Sequence, residues 1–227
     1  MKNIQITILL FFCLGCTETD IENDLRIFVR GKVLNENIPL QNATIEVSTE
    51  AAGSGAGTII LGNGTTNTNG DFEFVSLYGQ NDFFEIEIKR ENEFEYTSYT
   101  YRTNTLDYYP EDLTIDLGTI ELKQISDFNY NINRNSPQGT TLEYTFTYTI
   151  PSCEEYFEAG ILDPNQSFCL EPFTFSRTLD DNNSSVSNDF LVPLGSIVEF
   201  SYSINGGTLI TELITVDQIN FDYDFSY

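Results

Sequence analysis

The chain has 227 residues, with 35 acidic side chains against 10 basic ones and a formal charge of -25. Such a field repels a phosphate backbone, which excludes nucleic acid as a partner, and it disfavours bare anionic lipid. The chain contains no His and no Trp, so Ser-His-Asp and Cys-His catalysis are excluded and the commonest zinc ligand is missing.

Met1-Lys2-Asn3 is a short basic start, and Ile4 to Leu14 is an apolar run broken by Gln5 and Thr7. A bilayer span needs about 20 apolar residues, whereas this run has the length of a signal-peptide core. It ends in Cys13-Leu14-Gly15-Cys16, which resembles a bacterial lipobox, with Cys13 standing where that pattern usually has Leu. The resemblance implies a signal peptide over 1–15 and lipidation of Cys16, with acyl chains such as palmitate anchoring the chain in the outer membrane. Each buried methylene contributes about 0.8 kcal/mol, so several chains together hold firmly. The other reading is an ordinary cleaved signal with an incidental Cys. Residues 16–24 continue as an acidic polar tether, Thr17 to Asp24. The tether is similar to the surface-export signal of Bacteroidota lipoproteins, and it also reads as a plain linker.

Removing Cys13 with the signal and giving Cys16 to lipid leaves Cys153 and Cys169, an even pair in an oxidising compartment. A disulfide between them is expected.

Residues 25–123 read as a first sandwich. Ile27, Val29 and Val33 share one face of a strand; Ala43, Ile45 and Val47 do so in a second. Thr58 to Leu61 is a short third strand. Phe72 and Phe74 share a face, and Phe84, Ile86 and Ile88 alternate with charged residues. Asn63-Gly64 and Asn69-Gly70 carry turn signals. Glu50 to Gly57 reads as a Gly/Ala/Ser surface loop. Its acidic surroundings and the lack of a following Lys argue against phosphate binding.

Three stretches of this region together resemble the carboxypeptidase regulatory-like domain, a transthyretin-like β-sandwich. They are Gly31-Lys32-Val33 with Pro39-Leu40 and Ala43 to Val47, then Thr66 to Phe74, then Asp116 to Leu122. The resemblance covers less than half of the chain. It implies a folding, spacing or binding unit without catalytic residues.

Residues 124–227 read as a second, Ig-like sandwich of unrecognised family. Thr141 to Ile150, Phe173 to Thr178, Val186 to Val192, Ser196 to Ile204 and Thr208 to Ile219 are its expected strands. The segment from Cys153 to Cys169 is its most individual stretch, with one helical turn allowed over Glu154 to Ala159. Its acids and its aromatics Tyr156, Phe157 and Phe168 suit a ligand-binding loop, and equally a stapled loop capping the sandwich.

The expected fold is therefore all-β: two tandem β-sandwiches, Ig-like and transthyretin-like, after a signal peptide and tether. The expected function is a non-enzymatic envelope lipoprotein that binds a glycan, a peptide or a partner protein. A structural spacer or assembly component of an envelope complex is the alternative, and a carboxylate-based glycoside hydrolase the remote one. No cofactor is expected. Asp180 and Asp181, with Asn182 and Asn183, offer hard oxygen ligands for Ca2+, as do Asp217, Asp222 and Asp224, but without EF-hand spacing they read first as solvated loops.

Overall fold

A computed structural model describes residues 25–50, 57–79, 83–90, 92, 95–106 and 108–227. The signal peptide, Cys16 and the tether lie outside the described residues, as does most of the Gly/Ala/Ser segment. The described chain is all-β. Its first eight strands are β1 (Arg26–Asn35), β2 (Ile38–Pro39), β3 (Ala43–Glu50), β4 (Thr58–Thr65), β5 (Asp71–Leu77), β6 (Phe84–Arg90), β7 (Ser98–Thr103) and β8 (Thr114–Glu121). A 3-10 turn at Glu111–Leu113 precedes β8. The remaining strands are β9 (Ile125–Asn133), β10 (Leu142–Thr149), β11 (Ser152–Glu158), β12 (Ile161–Leu162), β13 (Phe168–Cys169), β14 (Pro172–Leu179), β15 (Ser185–Pro193), β16 (Ile197–Ile204), β17 (Ile210–Thr215) and β18 (Asn220–Ser226). Among the described residues no helix is long and apolar enough to cross a membrane.

In the first sandwich, β1 pairs antiparallel with β5 and parallel with β8. The facing sheet runs β4, β3, β6, β7 and then β11. The alternating residues read from the sequence fill the space between: Ile27, Val29, Val33, Ile45, Val47, Ile86 and Ile88 are all buried. Fully burying one such side chain contributes about 1.5–3 kcal/mol.

Of the two Asn-Gly signals, one is a turn and one is not. Gly70 has φ 77°, and a Cβ there would lie 2.4 Å from the Val33 carbonyl oxygen, so glycine is required. Asn63 and Gly64 instead lie within β4, which runs through to Thr65. The glycines there serve close approach rather than turning. A Cβ on Gly62 would strike Ser76 at 2.7 Å and one on Gly64 the Phe74 ring at 2.5 Å, so their absence lets β4 press on β5.

The second sandwich stacks β14, β10, β16 and β17 against β15, β9 and β18. Its first strand again pairs parallel with its last, β9 with β18. Neither was singled out by the sequence reading: the stretch from Thr208 to Ile219, expected as one strand, contains β17 and a turn leading to β18. The core is aromatic, with Phe128, Tyr130, Tyr144, Phe146 and Phe200 all buried.

Both outer faces of this sandwich carry polar rows, with Ile197 and Leu213 exposed beside the first of them. Ser176, Thr145, Ser201 and Thr211 stand in register across four strands, with hydroxyl contacts of 2.8 and 2.7 Å. On the other sheet Asn129 lies between Asp189 and Asp222. Nearby, Asp127 Oδ1 is buried without a hydrogen-bond partner among the described residues. Burial first, then Asp189 and Asp222, push the Asp127 carboxyl above the usual carboxylate range. A carboxyl raised in the folded state lowers stability as pH rises through its unfolded and then its folded pKa, and acid restores it. Asp127→Asn is expected to raise the melting temperature of this sandwich by about 2–5 °C at pH 7. Solvent screening keeps the gain under about 1 kcal/mol. Calorimetry below about pH 4 and at pH 7 checks this: the gain should shrink at the acid end, and a lower melting temperature at pH 7 would refute the cause.

One strand does not stay with its sequence neighbours. After β10 the chain leaves the second sandwich, and β11 joins the first sandwich in parallel with β7, from Ser152 opposite Ser98 to Phe157 opposite Thr103. The excursion closes at its base through Ile150 N–H to the Glu171 carbonyl and Leu170 N–H to the Ser152 carbonyl, each 2.9 Å. Residues 152–169, read from the sequence as part of the second domain, are hydrogen-bonded to the first. Glu154 to Glu158 forms strand and not a helical turn, because the ladder to β7 satisfies its backbone as far as Phe157, and Ala159, at φ 48°, begins the turn that follows.

Candidate functional site

The excursion gives the first sandwich unequal layers. The larger sheet continues past β7 to β11, while the smaller sheet stops at β8, which pairs with β1 on one side. The inner face of β11 therefore overhangs, and a groove opens between it and the β8 edge.

Strand alternation decides which β11 side chains line the groove. Cys153, Glu155 and Phe157 face inward, and Glu154 and Tyr156 face out. Phe157 stacks on Tyr101, with ring centroids 4.6 Å apart. The Tyr99 hydroxyl donates to Glu155 Oε2 at 2.7 Å. Burial, and the carboxylate that accepts its proton, hold the Tyr99 hydroxyl far above the usual tyrosine range, so it stays a donor. Tyr101 is also pushed up, chiefly by burial.

Two cavities lie side by side along it, and Tyr99, Leu117 and Glu155 line both. The larger, about 410 Å3, is walled by Tyr101, Tyr108 and Phe157; the smaller, about 260 Å3, reaches Lys123 and the disulfide. From β8, Thr114 to Gly118 line one cavity and Leu117 with Thr119 to Glu121 the other. A sheet face contributes alternate residues, so consecutive ones mean that the strand edge faces the groove.

The loop before β8 is held in place. The Tyr78 hydroxyl donates to the Tyr108 carbonyl at 2.6 Å. Gly160, at φ 79°, leaves room for the Tyr108 hydroxyl, which a Cβ would approach to 2.4 Å. At the groove mouth, Arg30 pairs with Asp116 at 2.8 Å. The Gly118 N–H and Arg30 hold the Asp116 carboxyl below the usual range.

The residues singled out from the sequence divide as follows. Cys153 and Cys169 form the expected disulfide and are cross-strand partners. Phe157 enters the groove. Tyr156 points to the outer face, and Phe168, opposite Glu154, lies on that same face. The three aromatics therefore do not form one site. Asp180 accepts the Asn182 and Asn183 N–H groups at 2.8 and 3.1 Å. Asp181 takes the Gly139 N–H at 2.9 Å and the Arg134 guanidinium at 2.5 Å. These carboxylates staple two loops. Among the described residues no group of three acidic or Cys side chains is arranged to hold a metal.

Sequence reasoning missed Tyr99, Tyr101 and Tyr108, and it took Glu155 only as one of the acids of the Cys153 to Cys169 segment, with Glu154, Glu158 and Asp163. A usable signal existed: in the aromatic and Thr-rich stretch from Glu93 to Arg102, Tyr99 and Tyr101 alternate with Thr100 and Arg102.

No family model matches the chain, and no curated protein matches it in sequence. Among solved structures, the Bacillus anthracis TIE protein is similar over 89% of this chain, at 10% identity and a TM-score of 0.32. The Streptococcal ancillary pilin is similar over 88%, at 10% identity and 0.29. A DUF3823 family protein from Parabacteroides merdae is similar over 86% of this chain and 100% of its own length, at 10% identity and 0.26. The chain spans 34% of the TIE protein and 62% of the pilin. Likenesses this faint say nothing about what the chain does.

Proposed function

We propose that the chain is a non-enzymatic recognition module of the cell envelope, tethered through Cys16, which binds its ligand in the groove between β8 and β11. The overhang of β11 carries this reading: it leaves aromatic side chains and one carboxylate facing open space at the rim of a packed core. Recognition sites pair apolar walls with a few placed polar groups in this way. The second sandwich, with a hydroxyl face and an Asp/Asn face, reads as the spacer that supports the excursion.

The test is a glycan and peptide array probed with the full chain. Binding that is lost in Tyr108→Ala but kept in Phe168→Ala, on the opposite face, supports the groove. Binding lost in Phe168→Ala alone moves the site to the outer face. A blank array refutes ligand recognition and leaves the assembly role.

A further inference from the structure

The groove also indicates a ligand class, given that it is the recognition site. Glu155 is half-buried at the junction of the two cavities, where it receives the Tyr99 hydroxyl. The ion pairs found among the described residues leave it out: Arg30, Lys32, Lys89, Arg102 and Arg134 are matched to Asp116, Asp71, Glu87, Glu154 and Asp181. A half-buried carboxylate that makes no ion pair can receive an arriving cation, and the approach is from the larger cavity, since Lys123 lines the smaller one. The wall beside it is the stacked pair Tyr101 and Phe157, with Tyr108 lining the same cavity. Aromatic faces attract an ammonium or guanidinium group as well as apolar stems. The chain as a whole, at -25, draws cations in and repels acidic competitors.

The opposite wall is the β8 edge. A strand edge offers backbone N–H and C=O groups to an extended chain. β8 is interrupted in its middle: its register against β1 shifts between Asp116 and Thr119, Gly118 has φ 64°, and the Gly118 N–H is taken by Asp116 Oδ1 at 3.0 Å. The bulge denies a long ladder to an indiscriminate partner and leaves short runs at either end, Thr114 to Asp116 and Thr119 to Glu121. A guest strand therefore needs a side-chain anchor as well, and Glu155 stands between those runs.

We infer that the groove binds an extended peptide segment whose Lys or Arg side chain runs along the wall formed by Tyr101, Phe157 and Tyr108 to pair with Glu155, while its backbone hydrogen-bonds to the short β8 runs.

The test presents the full chain with two pools of nine-residue peptides, varied in Thr, Val, Ser and Tyr and fixed at the centre as Lys in one pool and norleucine in the other. A panel of neutral oligosaccharides is run alongside. The Lys pool is expected to be retained at least tenfold over its twin, with retention falling as salt rises. Glu155→Gln should abolish the preference; Glu154→Gln, the same change on the outer face, should keep it. The wild-type comparison of pools and salt requires no variant to fold. Equal retention of the two pools, or a preference that survives Glu155→Gln, overturns the inference. Oligosaccharide binding that is lost in Tyr108→Ala, without peptide retention, overturns it too and leaves groove recognition standing. Silence from every probe overturns both.

Discussion

Replacing Phe146 with alanine is expected to cost the second sandwich about 3–5 kcal/mol, a large part of the 5–15 kcal/mol that holds an ordinary domain folded. The side chain is fully buried on β10. Its ring lies 4.7 Å from Phe200, 4.8 Å from Tyr130 and 5.6 Å from both Phe175 and Phe190. It therefore touches rings from both sheets. Removal leaves a cavity that rigid rings fill poorly, since an aromatic neighbour has two side-chain torsions with which to adjust. Phe146→Leu keeps more of the volume and should cost about 1–1.5 kcal/mol. Urea unfolding followed by tyrosine fluorescence reads both, because the chain has 13 Tyr and no Trp. A loss under about 1 kcal/mol for the alanine variant would show that the cluster repacks and that the ring network is not the main support.

The two cores were legible in the sequence because they rest on local alternation. Ile45 and Val47, or Tyr144 and Phe146, declare a buried face within three residues. Turn chemistry was legible where conformation requires glycine, as at Gly70, and misleading where glycine serves contact, as at Gly64. The excursion was not legible. Pro151, the flanking cysteines and Gly160 punctuate the segment like a loop, and its inward residues, Cys153, Glu155 and Phe157, do not form an apolar stripe. Its strand state is imposed by Ser98 to Thr103, more than fifty residues earlier, through a parallel ladder that has no local signature. The groove escaped notice for the same reason: it exists because β11 carries one sheet past the last strand of the other, and strand count per layer is a tertiary fact. The disulfide was predicted from counting thiols, while its purpose follows only from the strand it holds.

That purpose sets the second large effect. Reducing the disulfide, or replacing both Cys153 and Cys169 with Ser, is expected to cost about 3 kcal/mol in the chain-entropy picture, for a closure across 16 residues. The loss should not be spread evenly. β11 is held on one side by its ladder to β7 and on the other only by the two-residue pairings with β12 and β13. The bond ties Cys153, at the start of β11, directly to β13. Without it, the outer support of β11 rests on short pairings, and the groove wall carrying Glu155 and Phe157 opens first. Hydrogen exchange should then show protection falling at Ser152 to Glu158 while the buried strands β3 and β6 keep theirs. The second-sandwich transition should stay in place, since its aromatic core makes no use of either cysteine. Ligand retention on the arrays should fall with the loss of β11 protection, under the same reducing conditions and in the double Ser variant alike. Unchanged protection of β11 after reduction would mean that the β7 ladder and the Tyr101–Phe157 stack hold the wall by themselves. The disulfide would then be a staple on the excursion and no part of the groove.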